Sequence, residues 1–229
     1  MRKLVVGAFL TLDGVMQAPG GPDEDRDNGF EHGGWLVPFF DDKLAEIMSD
    51  WVDVAGGFLL GRRTYEIFAA SWPNSTDPDD RIAAALNQRP KYVASKTLDK
   101  LGWHNSTLLK GDVVEEIRKL KIQEGGEIQV HGSSDLLQTL LKHDLVDTLR
   151  IWQFPVVIGT GKRIFGEGTI PGGFKLVESQ FSTTGAVSMS ASAPASSTTA
   201  SLRSARRPSY SIMLTELGGE RILFGRCPE

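Results

Sequence analysis

The sequence predicts an α/β fold built on a mixed, mostly parallel sheet. Three observations carry that expectation. Short apolar, β-branched runs alternate with longer stretches of helical period from residue 1 to about residue 186. Glycine closes two of these runs, at Gly61 and Gly132, where a helix then opens. Two later runs, Thr148–Gln153 and Val156–Ile158, follow almost back to back with Lys175–Ser182 beyond, so the sheet ends in antiparallel strands.

Lys3–Leu10 reads as a buried first strand. Its positive start and short apolar stretch also suit a weak signal peptide. The stretch stops at Thr11-Leu12-Asp13-Gly14, however, with no small-x-small cleavage site. Residues 17–35 are rich in Gly, Pro and Asp without apolar period, a loop long enough to be functional or else disordered. Asp41–Trp51 is an amphipathic helix with Leu44, Ile47, Met48 and Trp51 on one face and Asp42, Glu46 and Asp50 on the other. Phe58–Gly61 is a short strand that leads directly into a helix over Arg62–Ala70. A helix over Asp79–Asn87, a strand at Lys91–Ala94 and a helix over Val113–Leu120 follow. Glu127–His131 is the next strand, and Ser133–Lys142 a helix with Leu136, Leu137, Leu140 and Leu141 inward.

Composition narrows the function classes. The 229 residues are 40% hydrophobic and 24% charged, ordinary for a soluble domain with a sizeable core. The formal net charge of −4 provides no basic field for nucleic acid or an anionic membrane. A single cysteine, Cys227, excludes a disulfide scaffold and a cysteine-based structural zinc site. No apolar run approaches the roughly 18 residues of a membrane span. A cytoplasmic protein acting on a small molecule is the expectation.

Three strand ends carry anion-binding chemistry. In Leu59-Leu60-Gly61-Arg62-Arg63-Thr64, free N–H groups at a helix start combine with guanidinium forks, as a phosphate site requires. An exposed arginine pair opening an amphipathic helix would read the same way. Ser95-Lys96-Thr97 offers hydroxyl and ammonium groups beyond a strand, or an ordinary polar turn. In His131-Gly132-Ser133-Ser134, glycine lets a pyrophosphate approach the backbone, although helix capping alone would explain the serines. Three such ends in one sheet are harder to assign to chance than any one of them.

These segments, together with Gly7-Ala8-Phe9-Leu10-Thr11-Leu12-Asp13-Gly14, Leu145-Val146-Asp147 and Pro155–Gly161, resemble the dihydrofolate-reductase-like fold. Within it the chain resembles the riboflavin-biosynthesis reductase C-terminal domain family and its stand-alone bacterial relatives, over roughly residues 2–186. The resemblance implies a sheet with helices on both faces and an NADPH-dependent reductase similar to 5-amino-6-(5-phosphoribosylamino)uracil reductase. Gly61, Arg62, Arg63, Thr64, Ser95 and Lys96 would hold the adenosine phosphates, and Gly132, Ser133 and Ser134 the pyrophosphate. A catalytically silent nucleotide-binding module on the same fold and a xenobiotic reductase are the other classes this resemblance allows.

Departures limit the transfer. No His-x-Glu or Pro-Cys-x-x-Cys occurs, which excludes a deaminase step. The acids of the Asp41–Trp51 helix sit on its solvated face, which argues against folate reduction. Asp13 is the remaining carboxylate near the expected substrate, as a proton donor or substrate ligand, or as a turn aspartate preceding Gly14. Trp35, at the end of the long loop, is the tryptophan to consider as a substrate wall. No metal site is expected: Asp23, Asp25 and Asp27 only mimic a calcium loop, and Gly159-Thr160-Gly161-Lys162 lacks the third glycine of a dinucleotide fingerprint.

The composition changes near residue 186. Residues 187–229 carry five Arg and three Glu and are rich in Ser, Ala and Thr. Relatives end in a larger apolar strand that often contributes to a homodimer. Here Val187–Ala193 alternates small residues and is expected to be a weak edge strand ended by Pro194. A reductase domain at 1–193 and a largely disordered tail at 194–229 follow from this reading.

Overall fold

The computed structural model describes residues 1–75, 77–194, 212–217 and 220–225. Its central sheet has eight strands: β1 (Leu4–Thr11), β2 (Ala55–Gly61), β3 (Lys91–Ala94), β4 (Ser106–Leu109), β5 (Glu127–His131), β6 (Thr148–Phe154), β7 (Lys175–Phe181) and β8 (Val187–Ser192). They lie in the order β4-β3-β2-β5-β1-β6-β8-β7. The first six run parallel, and β8 pairs antiparallel with both β6 and β7.

Helices cover both faces because successive strand residues point to opposite sides. Leu4, Val6, Ala8 and Leu10 of β1 join Leu59, Ile128 and Val130 on one face. There they bury Ile117 of α4 (Val113–Ile122) and Leu137 and Leu140 of α5 (Ser134–Lys142). On the other face Phe58, Leu60 and Val93 pack against Tyr65 of α2 (Arg62–Ser71) and Leu86 of α3 (Arg81–Gln88). Leu44 and Ile47 of α1 (Asp42–Asp53) pack there against Trp152 and Phe154. Three helices start on an aspartate N-cap: Asp41, Asp80 and Asp112 accept backbone N–H groups of the first turn of α1, α3 and α4.

Three expectations need correction. Ser106–Leu109 is a strand that the sequence reading left out, because its four half-polar residues carry little apolar signal. Val156–Ile158 is not a strand: the chain turns after Phe154, and Asp13 takes the Ile158 N–H. Val187–Ser192 is not an edge strand. It is inserted between β6 and β7, and β7 forms the edge. In the tail, Ile212–Leu217 and Glu220–Gly225 pair as an antiparallel two-stranded sheet. The expected disorder of residues 195–211 lies outside the described residues.

One buried charge ties α3 to the sheet. Lys91, fully buried on β3, donates to the carbonyls of Leu86, Asn87 and Arg89 at 2.8–3.0 Å and lies 4.3 Å from the Trp103 ring centroid. Its ammonium satisfies the orphan carbonyls at the α3 C-terminus and complements the helix dipole. Lys91→Met leaves those acceptors without a donor and is expected to lower unfolding free energy by about 1–3 kcal/mol. Thermal unfolding checks this, and an unchanged Tm would contradict the capping role.

Candidate functional site

A cleft of about 1350 Å³ runs along the C-terminal ends of β2, β3 and β5 and across the middle of β1. Its polar wall is formed by two strand-to-helix turns that approach closely. Gly61 ends β2 and caps α2, and a Cβ there would lie 3.2 Å from Ser133 Oγ. Gly132 follows β5 with φ +59°, and a Cβ there would lie 3.2 Å from Thr64 Oγ1. Glycine suits both positions: at Gly132 the left-handed backbone favours it, and at Gly61 a side chain would press on Ser133.

Ser133 joins the two turns. It adopts a left-handed conformation (φ 57°, ψ 55°) before α5 and makes no side-chain cap to that helix. The capping role expected of it is thus replaced by another. The Gly61 N–H donates to Ser133 Oγ at 2.9 Å, and that hydroxyl donates to Thr64 Oγ1 at 2.8 Å. One side chain therefore holds the N-termini of α2 and α5 side by side, with their positive dipole ends toward the cleft.

Gly61, Arg62, Arg63, Thr64, Gly132, Ser133 and Ser134 all line this cleft, and so do Ser95 and Lys96. Ser95 Oγ accepts the N–H groups of Thr97 and Leu98, which shapes the turn after β3. Arg62 pairs loosely with Glu66 at 3.5 Å on a half-exposed surface. Arg63 is engaged differently. Its guanidinium pairs with Asp27 and lies 3.9 Å from Asp25, and Lys162 binds the same two carboxylates. Asp25 and Asp27 belong to the long loop at 17–35, so this four-charge cluster straps the loop across the cleft rim. The Lys162 and Arg63 hydrogen bonds hold the Asp27 carboxyl below its ordinary value.

Two proposed residues lie elsewhere. Trp35 is buried: its Nε1 donates to the Gln17 carbonyl at 2.8 Å, and its ring meets Phe154 edge-on at 5.6 Å. It anchors the loop and is not part of the cleft lining. Asp13 also lies outside the cleft. Its carboxylate accepts the Thr11 hydroxyl at 2.6 Å and the N–H groups of Gly159 and Ile158 at 2.8 and 3.2 Å, and Arg163 approaches to 3.3 Å. The Thr11 hydroxyl holds its carboxyl well below the usual carboxylate range; burial opposes this, and the backbone donors Gly159 and Ile158 add to it. These contacts fasten the turn at Thr11–Gly14 to the Ile158–Gly159 segment, the alternative turn role expected of Asp13.

Four cleft residues, Lys162, Asp25, Asp27 and His131, are not among those expected from the sequence. Lys162 lies in the Gly159–Ile164 segment, which was set aside because it fails as a dinucleotide fingerprint. Asp25 and Asp27 were weighed only as calcium ligands. His131, at the end of β5, lines the cleft floor beside Gly7. Its signal was its place immediately before Gly132.

The Asp13 assignment has a pH signature. Because its folded-state pKa is depressed, the stabilisation is present above the unfolded value of about 4 and is lost as pH falls below it. Asp13→Asn is expected to lower Tm at pH 7, with the gap to wild type narrowing as pH falls below about 4. A variant with unchanged Tm throughout would return Asp13 to the substrate role.

Comparison with known proteins places the chain. It is 26% identical over 170 residues to the uncharacterized protein YyaP of Bacillus subtilis (strain 168), covering 72% of this chain and 80% of that one. The crystal structure of a putative riboflavin biosynthesis protein from Shewanella sp. PV-4 superposes with a TM-score of 0.60 at 20% identity, covering 84% of this chain and 99% of that one. Dihydrofolate reductase from Enterococcus faecalis, complexed with NADP(H), has a TM-score of 0.53 at 15% identity, covering 83% and 96%. The fold is thus dihydrofolate-reductase-like, as expected. Residues 2–188 match the RibD C-terminal domain, and the chain belongs to that family.

Proposed function

We propose that this protein is an NADPH-dependent reductase that delivers hydride to a C=N or C=O group of a small heterocycle. The observation that carries this reading is the paired helix start at the cleft. Two N-termini held together by Ser133, with Arg62 and Lys96 nearby, form a cradle for a dinucleotide's phosphates. The close approach across Gly61 and Gly132 fits such a group, because a Cβ at either position would crowd the wall. Family membership supports the reductase class, and the NADP(H) complex of the Enterococcus enzyme supports the cofactor class.

A bound nicotinamide would supply the hydride. This chain's part is to bind, orient and shield. Gly132, Ser133 and Ser134 would take the pyrophosphate, and Arg62, Thr64, Ser95 and Lys96 the adenosine end. The strap at Asp25 and Asp27 would limit water at the rim. Arg63 would contribute once freed from Asp27.

Calorimetry with NADPH and NADH tests the cofactor. Losing one charge-assisted hydrogen bond costs about 1.5–3 kcal/mol, or about 10- to 150-fold in affinity. Arg62→Ala is therefore expected to weaken NADPH by that factor while leaving NADH nearly unchanged. Equal affinity of wild type for the two cofactors would contradict the reading. NADPH oxidation over a panel of pterins, pyrimidines and quinones identifies the substrate; binding without turnover across the panel would favour a nucleotide-binding module.

A further inference from the structure

His131 has a fixed protonation geometry that follows from its neighbours. Gln129, two residues earlier on β5 and buried, donates its amide N–H groups to the Trp51 carbonyl and to Glu127 Oε2 at 3.2 Å. Both partners are acceptors only, so the orientation of the amide is determined. Its oxygen then faces His131 Nε2 at 3.2 Å. That oxygen can only accept, so Nε2 carries the proton and Nδ1 carries a lone pair.

The surroundings keep the ring neutral. Burial, and then the positive charge of Arg150, push His131 down to about 4. Arg150 sits across Gly7 from His131, since Gly7 pairs with His131 on one side and with Arg150 on the other. It is itself held by both oxygens of Glu127, at 2.7 and 3.0 Å. Phe58 packs beside the imidazole at 5.7 Å between ring centroids. Nδ1 leans over Gly7, where an added Cβ would lie 3.4 Å away, and has no hydrogen-bond partner among the described residues. Gly7 and His131 both line the cleft, which can receive a planar ring beside that nitrogen.

We propose that His131 is a specificity-determining residue whose Nδ1 accepts a ring N–H of the substrate, selecting lactam-type heterocycles over N-alkylated ones. The proposal rests on the reductase reading only in calling the bound ring a substrate. A ligand that presents an acceptor or an alkyl group at this point would leave the nitrogen's lone pair unmatched and bury it, the asymmetry that makes hydrogen-bonding sites selective.

The test uses full-length protein labelled with ¹⁵N-histidine, titrated with 2-pyridone and with N-methyl-2-pyridone, each with and without NADPH. The free protein at pH 7 is expected to show a protonated Nε2 and an unprotonated Nδ1. 2-Pyridone should shift Nδ1 saturably and bind about tenfold or more tightly than its N-methyl analogue. His131→Phe should bring the two affinities together. A proton on Nδ1, equal responses to the two lactams, or no Nδ1 response to 2-pyridone would each overturn the proposal, and the wild-type spectra decide it even if the variant misfolds. Failure of every candidate to oxidise NADPH would remove the reductase reading while leaving this result standing.

Discussion

The hydroxyl of Ser133 is the contact on which the geometry of the cleft depends. It receives the Gly61 N–H and donates to Thr64, so one oxygen joins the turn after β5 to the turn after β2, whose two partners lie 72 and 69 residues away in sequence. Local chemistry explains why it can. Gly132 at φ +59° and Ser133 at φ 57° form two successive left-handed residues after β5, which turn the serine away from its own helix and toward its neighbour. Two glycines then let the helix starts approach. The two helix starts and their hydroxyls meet at this one side chain, which makes no cap to its own helix.

The rim beside the long loop is organised by charge. Asp25 and Asp27 meet Arg63 and Lys162 in a cluster of two anions and two cations, connecting the long loop to α2 and to the segment after β6. Such surface clusters contribute little to stability and are weakened by salt. Their effect here is positional: they hold a glycine- and proline-rich loop over the cleft and occupy Arg63. Trp35 and Asp13 serve the same end from outside, one pinning the loop to the core and the other fastening the turn that carries Lys162.

Much of the fold was legible from the sequence because apolar periodicity reports burial directly. The strand at Leu4–Thr11 and the α5 leucines stand out for that reason, and three aspartate caps mark helix starts to within a residue or two. Ser106–Leu109 was illegible because a four-residue strand with two hydroxyls has no period to detect. The position of Val187–Ser192 was illegible because strand order is a tertiary property: serine and alanine suggest an edge, yet Ser188 is buried between two strands. The glycine, hydroxyl and arginine residues at the ends of β2, β3 and β5 stand out in the sequence because strands end there, and the structure brings them to one cleft. The partnerships of Asp13, Arg63 and His131 run across more than 30 residues in sequence or depend on a neighbour's amide orientation, and no local motif encodes them.

A single serine hydroxyl holds the polar wall of the cleft together. Calorimetric titration of Ser133→Ala with NADPH, alongside its thermal melt, tests it most directly. The account predicts a fold that stays intact and an NADPH affinity weakened by about five- to a hundredfold, as expected for loss of the bridging hydrogen bonds. A variant that binds NADPH as tightly as wild type would show that the two helix starts meet without Ser133 and that the cradle is held by something else.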